Sequence, residues 1–180
     1  MLNPELIEGL KSPGYWFRWK SAEALGKLGR GAKTAAPALA EALEDSNETT
    51  RHTAAKALAA IGSEAEAAIP ALVKAIKREQ SKRSGTGSDT PSILSWLAGN
   101  ALAQIGPASL PALITLLSHE DRYVRLSAVN AVGNMGPQAK DAIPALSEAL
   151  NDEDELVRQW VSVALERIAN RRPVTGSPVF

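Results

Sequence analysis

Residues 37–62 read PALAEALEDSNETTRHTAAKALAAIG, and most of the remaining chain is this stretch written again. Its opening, P-x-L-x-x-x-L/I, recurs as PELIEGL from Pro4, PALAEAL from Pro37, PALVKAI from Pro70, PALITLL from Pro111 and PALSEAL from Pro144. Its close recurs as AEALGKLG to Gly29, AKALAAIG to Gly62, GNALAQIG to Gly106, VNAVGNMG to Gly136 and SVALERIA to Ala169. Four copies span 25 positions from the proline to the closing residue, and the prolines step by 33, 33, 41 and 33. A fixed period in this range is the signature of a repeat architecture.

Each copy predicts two helices. In the fourth, Val124, Ala128, Ala131, Val132 and Met135 fall at i, i+4, i+7, i+8 and i+11, one apolar stripe of a 3.6-residue period. The second copy fills the same places with Thr50, Ala54, Ala57, Leu58 and Ile61. Ala24, Ala57, Ala101, Ala131 and Ala164 form a column that is alanine in every copy, as where neighbouring helices approach too closely for more than a methyl group. Gly62, Gly106 and Gly136 stand where a left-handed C-terminal cap is expected, and Pro107 and Pro137 follow two of them. Proline sits early in each first helix, tolerable in a first turn and a source of a kink if the helix starts upstream at Ala65 or Ala139. A helix pair this small buries its apolar face only by stacking on the next pair, so the expected product is an all-α fold, an α-solenoid.

Composition agrees. Hydrophobic residues make up 44% of the 180 positions but aromatics only 4%, alanine filling the difference. With no cysteine, disulfides, thiolate metal sites and a cysteine nucleophile are excluded, and His52 and His119 are the only imidazoles. No cofactor or metal site is expected. No apolar run nears the roughly 18 residues of a membrane span, and the start MLNPELIEGLKSPG lacks a signal peptide's pattern, which points to a cytoplasmic protein. The net charge is zero, divided as 13 Lys/Arg against 10 Asp/Glu in residues 1–83 and 7 against 10 in 84–180. That mild dipole is not the basic stripe of a nucleic-acid binder.

The repeats resemble HEAT repeats, in the short form found in phycobiliprotein (bilin) lyases. The likeness covers residues 4–169 as copies at 4–29, 37–62, 70–106, 111–136 and 144–169, and implies a right-handed superhelix of five two-helix repeats. The Val-Arg pair that opens the family's second helix stands here as Val124-Arg125 and Val157-Arg158, with Arg18 and Arg51 in the same column; the acidic residue closing the first helix is Asp45 and Asp152. The resemblance implies that Arg18, Asp45, Arg51, Arg125, Asp152 and Arg158 are a structural ladder between turns rather than a catalytic set. The run Asp152-Glu153-Asp154-Glu155 reads as the start of the last helix, where negative charge is favoured.

The third copy breaks the pattern. Its inter-helix turn, KREQSKRSGTGSDTPS from Lys77 to Ser92, is longer by 11 residues, its acidic column holds Arg78 and its arginine column holds Ser95. The ladder is therefore expected to lose both partners there, at about 1 kcal/mol, beside about 0.8 kcal/mol for closing the longer loop. Lys82, Arg83, Gly85 and Gly87 could make the insert a lid or anion-binding loop, although it has no P-loop pattern, and a mobile loop is the plainer expectation. The end, NRRPVTGSPVF from Asn170, reads as a disordered tail or a cover for the last repeat, dimerisation there being the alternative.

If the resemblance holds, the second helices line the concave face. The positions their apolar stripe leaves free form three columns: Trp19, His52, Trp96, Leu126 and Gln159; then Glu23, Lys56, Asn100, Asn130 and Val163; then Lys27, Ala60, Gln104, Asn134 and Arg167. Trp19 and Trp96 over an Asn/Gln cluster could grip an extended peptide, amides pairing with its backbone and indoles offering flat apolar contacts. Trp96-x-x-x-Asn100 resembles the W-x-x-x-N pairs of armadillo repeats, but occurs once. Trp16 and Trp160 lie off the columns and read as packing or end-cap residues. The expected function is a non-catalytic scaffold, a monomer or weak dimer, that binds a protein or peptide. A bilin lyase-like or chaperone-like role in phycobiliprotein maturation is the alternative that the resemblance implies. Two histidines do not suffice for a hydroxylase of the deoxyhypusine kind. Nucleic acid is disfavoured, because the columns offer only Lys27, Lys56 and Arg167 against Glu23.

Overall fold

The computed structural model describes residues 4–81 and 91–169. First helices are α1 (Pro4–Gly9), α3 (Ala36–Ala42), α5 (Ile69–Ser81), α7 (Leu110–Leu116) and α9 (Ile143–Ala149); second helices are α2 (Tyr15–Leu28), α4 (Glu48–Ile61), α6 (Ile93–Ile105), α8 (Arg122–Met135) and α10 (Glu155–Ala169). No strand occurs among the described residues, and none of these helices is long and apolar enough to cross a membrane.

Local chemistry starts and stops these helices. Asn47, Ser92 and Asp121 cap α4, α6 and α8 by accepting the backbone N–H of Thr50, Ser95 and Tyr123 at 3.1, 3.0 and 2.8 Å. Gly29, Gly62, Gly106 and Gly136 close the second helices with φ of 51°, 68°, 88° and 56°. Their ψ values, from −128° to −148°, differ from the left-handed cap expected. They lie in the mirror image of the extended region, closed to side chains that carry a Cβ, so the demand for glycine is stricter than a left-handed cap would make it. After three of these glycines the chain makes a 3-10 segment that bends at a buried alanine: Ala32, Ala65 and Ala139, with φ near −98°, −100° and −96°. The proline of the following helix falls in its first turn, where no N–H is needed. The third repeat shortens this connection to Pro107–Ser109, and the Ser109 hydroxyl bonds the carbonyls of Leu102 and Gly106 at 2.7 and 2.8 Å.

The core runs the length of the stack, with Leu39, Leu72, Leu113 and Leu146 of successive first helices fully buried beneath Leu58, Leu102 and Val132 of the second. The alanine column is where second helices meet. A Cβ on Gly26 would lie 3.3 Å from the Ala57 Cα, and one on Gly133 would lie 3.3 Å from the Ala164 Cα. Second helices pack directly on one another from α2 to α10, whereas the first helices meet the next repeat largely through its 3-10 segment. The layer with the closer spacing is the inner one. The molecule is thus an α-solenoid whose second helices form its concave side.

Arg18 and Asp45 form a two-pronged pair, with Nη2 to Oδ1 at 2.9 Å, and Arg18 also donates to the carbonyls of Ser12 and Pro13. Arg125 repeats the arrangement with Asp152 at 2.8 Å and with the carbonyls of His119 and Glu120. Arg51 and Arg158 bond the turn carbonyls of their own repeats. Burial pushes the Asp45 carboxyl up, but the Arg18 hydrogen bond and the Asn47 N–H together outweigh it and hold the group below its ordinary value. A carboxylate depressed in this way adds stability that is complete above the unfolded value, about 3.9, and lost as pH falls through the lower folded one. Urea unfolding between about pH 2.5 and 6 should therefore show a flatter acid limb for Asp45→Asn than for wild type. Identical slopes would mean that this pair does not govern the acid response.

The third repeat does not simply lose its rung. Arg78 reaches back to the Glu44 carboxylate, inverting the polarity of the pair, and also donates to the Leu43 carbonyl at 3.3 Å. Ser95 is fully buried and donates to the Ile76 carbonyl at 3.2 Å. The cost expected from the sequence is thus offset by a different set of bonds. The insert also begins later than the sequence suggests, because Lys77–Ser81 continue α5. Lys82, Arg83, Gly85 and Gly87, and the tail from Asn170, fall outside the described residues.

Candidate functional site

Along the second-helix face the columns differ sharply from end to end. At the first repeat, Glu23 pairs with Lys20 at 2.9 Å and Lys27 at 3.1 Å, and these two hydrogen bonds hold its carboxyl below the usual range. The Lys20 ammonium stands 4.3 Å from the centre of the half-buried Trp19 ring. His52 lies 3.6 Å from the Glu48 carboxylate, while Lys56 and Ala60 project into solvent. These groups are surface pairs with no enclosed space between them.

In the middle of the face Trp96 is 40% exposed and Gln104 is exposed. The amides expected to be free for a peptide are instead bonded to each other. Asn134 donates to the Asn100 carbonyl oxygen at 2.9 Å and accepts from Arg167 at 3.0 Å, linking α6, α8 and α10. Leu126 is a clear correction, for it is fully buried. A Cβ on Gly99 would lie 3.2 Å from the Ser127 carbonyl oxygen, so α6 approaches α8 closely there, and every residue from Val124 to Val129 is buried. A turn enclosed on all sides leaves its leucine no route to the groove.

The enclosed feature of this face lies between α8 and α10. A pocket of about 270 Å³ is walled by Val129, Asn130 and Gly133 on one side and by Leu156, Trp160, Val163 and Ala164 on the other, with Gln159 and Arg167 also lining it. It exists because Gly133 and Ala164 put almost nothing between the two helices. The Nδ2 of Asn130 is buried there without a hydrogen-bond partner; the other buried side-chain nitrogens of that kind are guanidinium Nε atoms. An amide donor sealed off in this way costs about 1–3 kcal/mol, recoverable by a ligand that brings an acceptor. Gln159 is held by Glu155 at 3.2 Å, and Val163 is 44% exposed at the rim. Trp160, read from the sequence as packing, is therefore part of the pocket; its spacing of four from Leu156 and three from Val163 puts all three on one stripe. The volume falls below the roughly 300–1,000 Å³ of small-molecule sites. It is room for one large side chain.

A wider hollow of about 680 Å³ opens on the turn edge between repeats four and five, lined by His119, Glu120, Arg125, Glu148, Asp152 and Glu153 among others. Its arginine is already committed to Asp152. No group of three or more His, Asp or Glu side chains placed to hold a metal occurs among the described residues.

A family model described as HEAT repeats matches residues 3–85 and 87–166. Comparison with curated proteins gives no match. Among solved structures the chain is similar to a designed armadillo-repeat protein in complex with the peptide (KR)4, at 21% identity and a TM-score of 0.52, over 91% of this chain and 80% of that one. It is also similar to the complex of CpcE and CpcF of phycocyanin lyase from Nostoc sp. PCC7120, at 24% identity and a TM-score of 0.58, over 93% of this chain and 65% of that one. A third is the archaeal HEAT-like repeats protein from Thermococcus onnurineus NA1, at 14% identity and a TM-score of 0.56, over 96% and 72%. At these identities the likenesses show the fold.

Proposed function

Because the chain belongs to the HEAT-repeat family, in which the stacked repeats supply a surface and the side chains on it decide its use, we propose that it is a non-catalytic scaffold holding an extended segment of a protein partner along its second-helix face. The observation that carries this reading is the pocket between α8 and α10, with apolar walls at Leu156, Trp160 and Val163 and the unpartnered amide of Asn130. An apolar side chain fills such a space, and a backbone carbonyl beside it satisfies the amide, the combination by which extended peptides are gripped. Trp96, exposed two repeats earlier on the same face, supplies a second apolar contact.

The designed armadillo-repeat neighbour is described with a peptide of alternating lysine and arginine. This chain suits a different segment. Its columns carry Lys27, Lys56 and Arg167 against Glu23, and Glu23 is already paired with two lysines. A neutral or mildly acidic stretch with one large apolar anchor fits better. A pigment-attachment role rests on the likeness to CpcE and CpcF alone, and 270 Å³ is room for a side chain rather than for an open-chain pigment.

The test is selection of a random peptide library on the wild-type protein, followed by affinity measurement on Val163→Asp and Trp160→Ala. Enriched peptides are expected to share one apolar residue and to bind Val163→Asp roughly 10–100-fold more weakly, the equivalent of losing one buried side chain. Selected peptides that bind the folded variants as tightly as wild type would overturn the assignment to this pocket.

A further inference from the structure

The chain has eight aromatic side chains, and four of them, Tyr15, Trp16, Phe17 and Trp19, fall within five residues at the start of α2. Three are large apolar side chains left open: Tyr15 is 56% exposed, Trp16 50% and Phe17 59%. Trp16 and Phe17 meet edge to face at 5.2 Å, so the exposed rings form one patch. Phe17 is the informative one. The repeat register puts it in one column with Thr50, Leu94, Val124 and Val157, each of them 0% exposed. Leu6 likewise is only half-buried, where Leu39, Leu72, Leu113 and Leu146 of its column are fully buried. The first repeat has the same length as three of the others and its own first helix, so what it lacks is a repeat stacked against its outer side. Its exposed face is a stacking face without a cover.

We infer that this face docks a second copy of the chain, first repeat against first repeat. A face built in the pattern of an interior repeat is complemented by a repeat, and a second copy offers two ends. Its last repeat is blocked. The column of Gly26, Ala59, Ala103 and Gly133, which receives the alanine of the following helix, ends in the exposed Glu166. With only 3.3 Å between a Cβ on Gly133 and the Ala164 Cα, a glutamate in that column collides with an incoming helix and loses its hydration. Head-to-tail growth is thereby closed off, which leaves the isologous contact of the two aromatic faces. Charge does not oppose it, since the exposed Glu8 and Lys11 beside the patch carry opposite signs. At about half of the 150–250 Å² that an aromatic ring can bury, three rings supply roughly 300 Å² per copy. With their rim that reaches the lower end of specific interfaces, so a dissociation constant on the order of 10 µM is expected.

Sedimentation equilibrium of the full chain from about 1 to 200 µM brackets that value. The comparison is Tyr15→Glu/Trp16→Thr/Phe17→Thr, which gives the first repeat the residues that the second repeat already carries as Glu48, Thr49 and Thr50. Wild type should pass from one mass to twice that mass, while the variant, with helical circular dichroism unchanged, should stay at the lower mass throughout. A wild-type monomer at the top concentration, growth beyond the dimer, or a variant that dimerises as well as wild type would each overturn the proposal. Single cysteines in the otherwise wild-type, cysteine-free chain give an answer that does not depend on the triple variant folding. Lys11→Cys should cross-link into dimers under mild oxidation and Ser162→Cys, at the opposite end, should not; the reverse pattern would overturn the proposal.

Discussion

Replacement of Arg125 by alanine is expected to cost about 3–5 kcal/mol, the range for breaking a buried ion pair from one side. Arg125 is 5% exposed. It joins the Asp152 carboxylate of the next repeat to the carbonyls of His119 and Glu120 in its own, at 2.8, 2.9 and 2.9 Å. Alanine would leave two carbonyls and a nearly buried carboxylate unpaired together. For a chain of this size such a loss lowers the melting temperature by roughly 6–20 °C. The damage should also be local, because solenoid repeats are stabilised chiefly by their neighbours. Hydrogen exchange should accelerate in α9 and α10, which the rung ties to the stack, and remain unchanged in α2 and α4. Removing both charges in Arg125→Met/Asp152→Leu should recover most of the loss, since apolar groups of similar shape leave no unpaired charge. A loss below about 1 kcal/mol would place the pair with ordinary surface ion pairs. The Arg78–Glu44 pair, with side chains 24% and 39% exposed, is expected to be of that weaker kind.

The parts of this fold that the sequence discloses are those that every repeat must obey. The alanine column is set by backbone approach, and the closing glycines by a backbone conformation no other residue adopts, so both recur in register and can be read without coordinates. The groove obeys no such rule. Asn100, Asn134 and Arg167 are polar residues in free columns, and nothing in their spacing distinguishes amides bonded to each other from amides open to a ligand. Which amide is left over, that of Asn130, depends on hydrogen-bond geometry across two helices. Trp160 was closer to hand, since it shares a stripe with Val163, but a tryptophan one step from the core stripe packs as readily as it binds. Arg78 misled for a different reason. A column that expects an acid finds a base, and the sequence records the missing rung without recording that Glu44 stands one residue before Asp45 to receive it.

Leu126 and Trp96 occupy one column of the repeat, and the structure assigns them opposite fates. Leu126→Ala is expected to cost about 2–5 kcal/mol, because the side chain is fully buried and its removal leaves a cavity that the surrounding helices close only in part. The upper half of that range is the more apt, for the close approach at Gly99 already holds α6 against α8 and leaves little room for collapse. Trp96→Ala removes a larger side chain from the same register, yet Trp96 is 40% exposed. Its loss forfeits partial burial and creates no enclosed void, so its cost should stay near 1 kcal/mol. Parallel urea denaturation of the two variants measures the difference directly. The order of the two costs is the decisive result. If Trp96→Ala proved the more damaging, Trp96 would be a packing residue and the peptide-holding face would lose its second apolar contact. If Leu126→Ala is the more damaging, the columns of this solenoid cannot be read as uniformly surface or core. The repeat sets where each helix lies, and the local approach of its neighbours decides which of its side chains remain available to a partner.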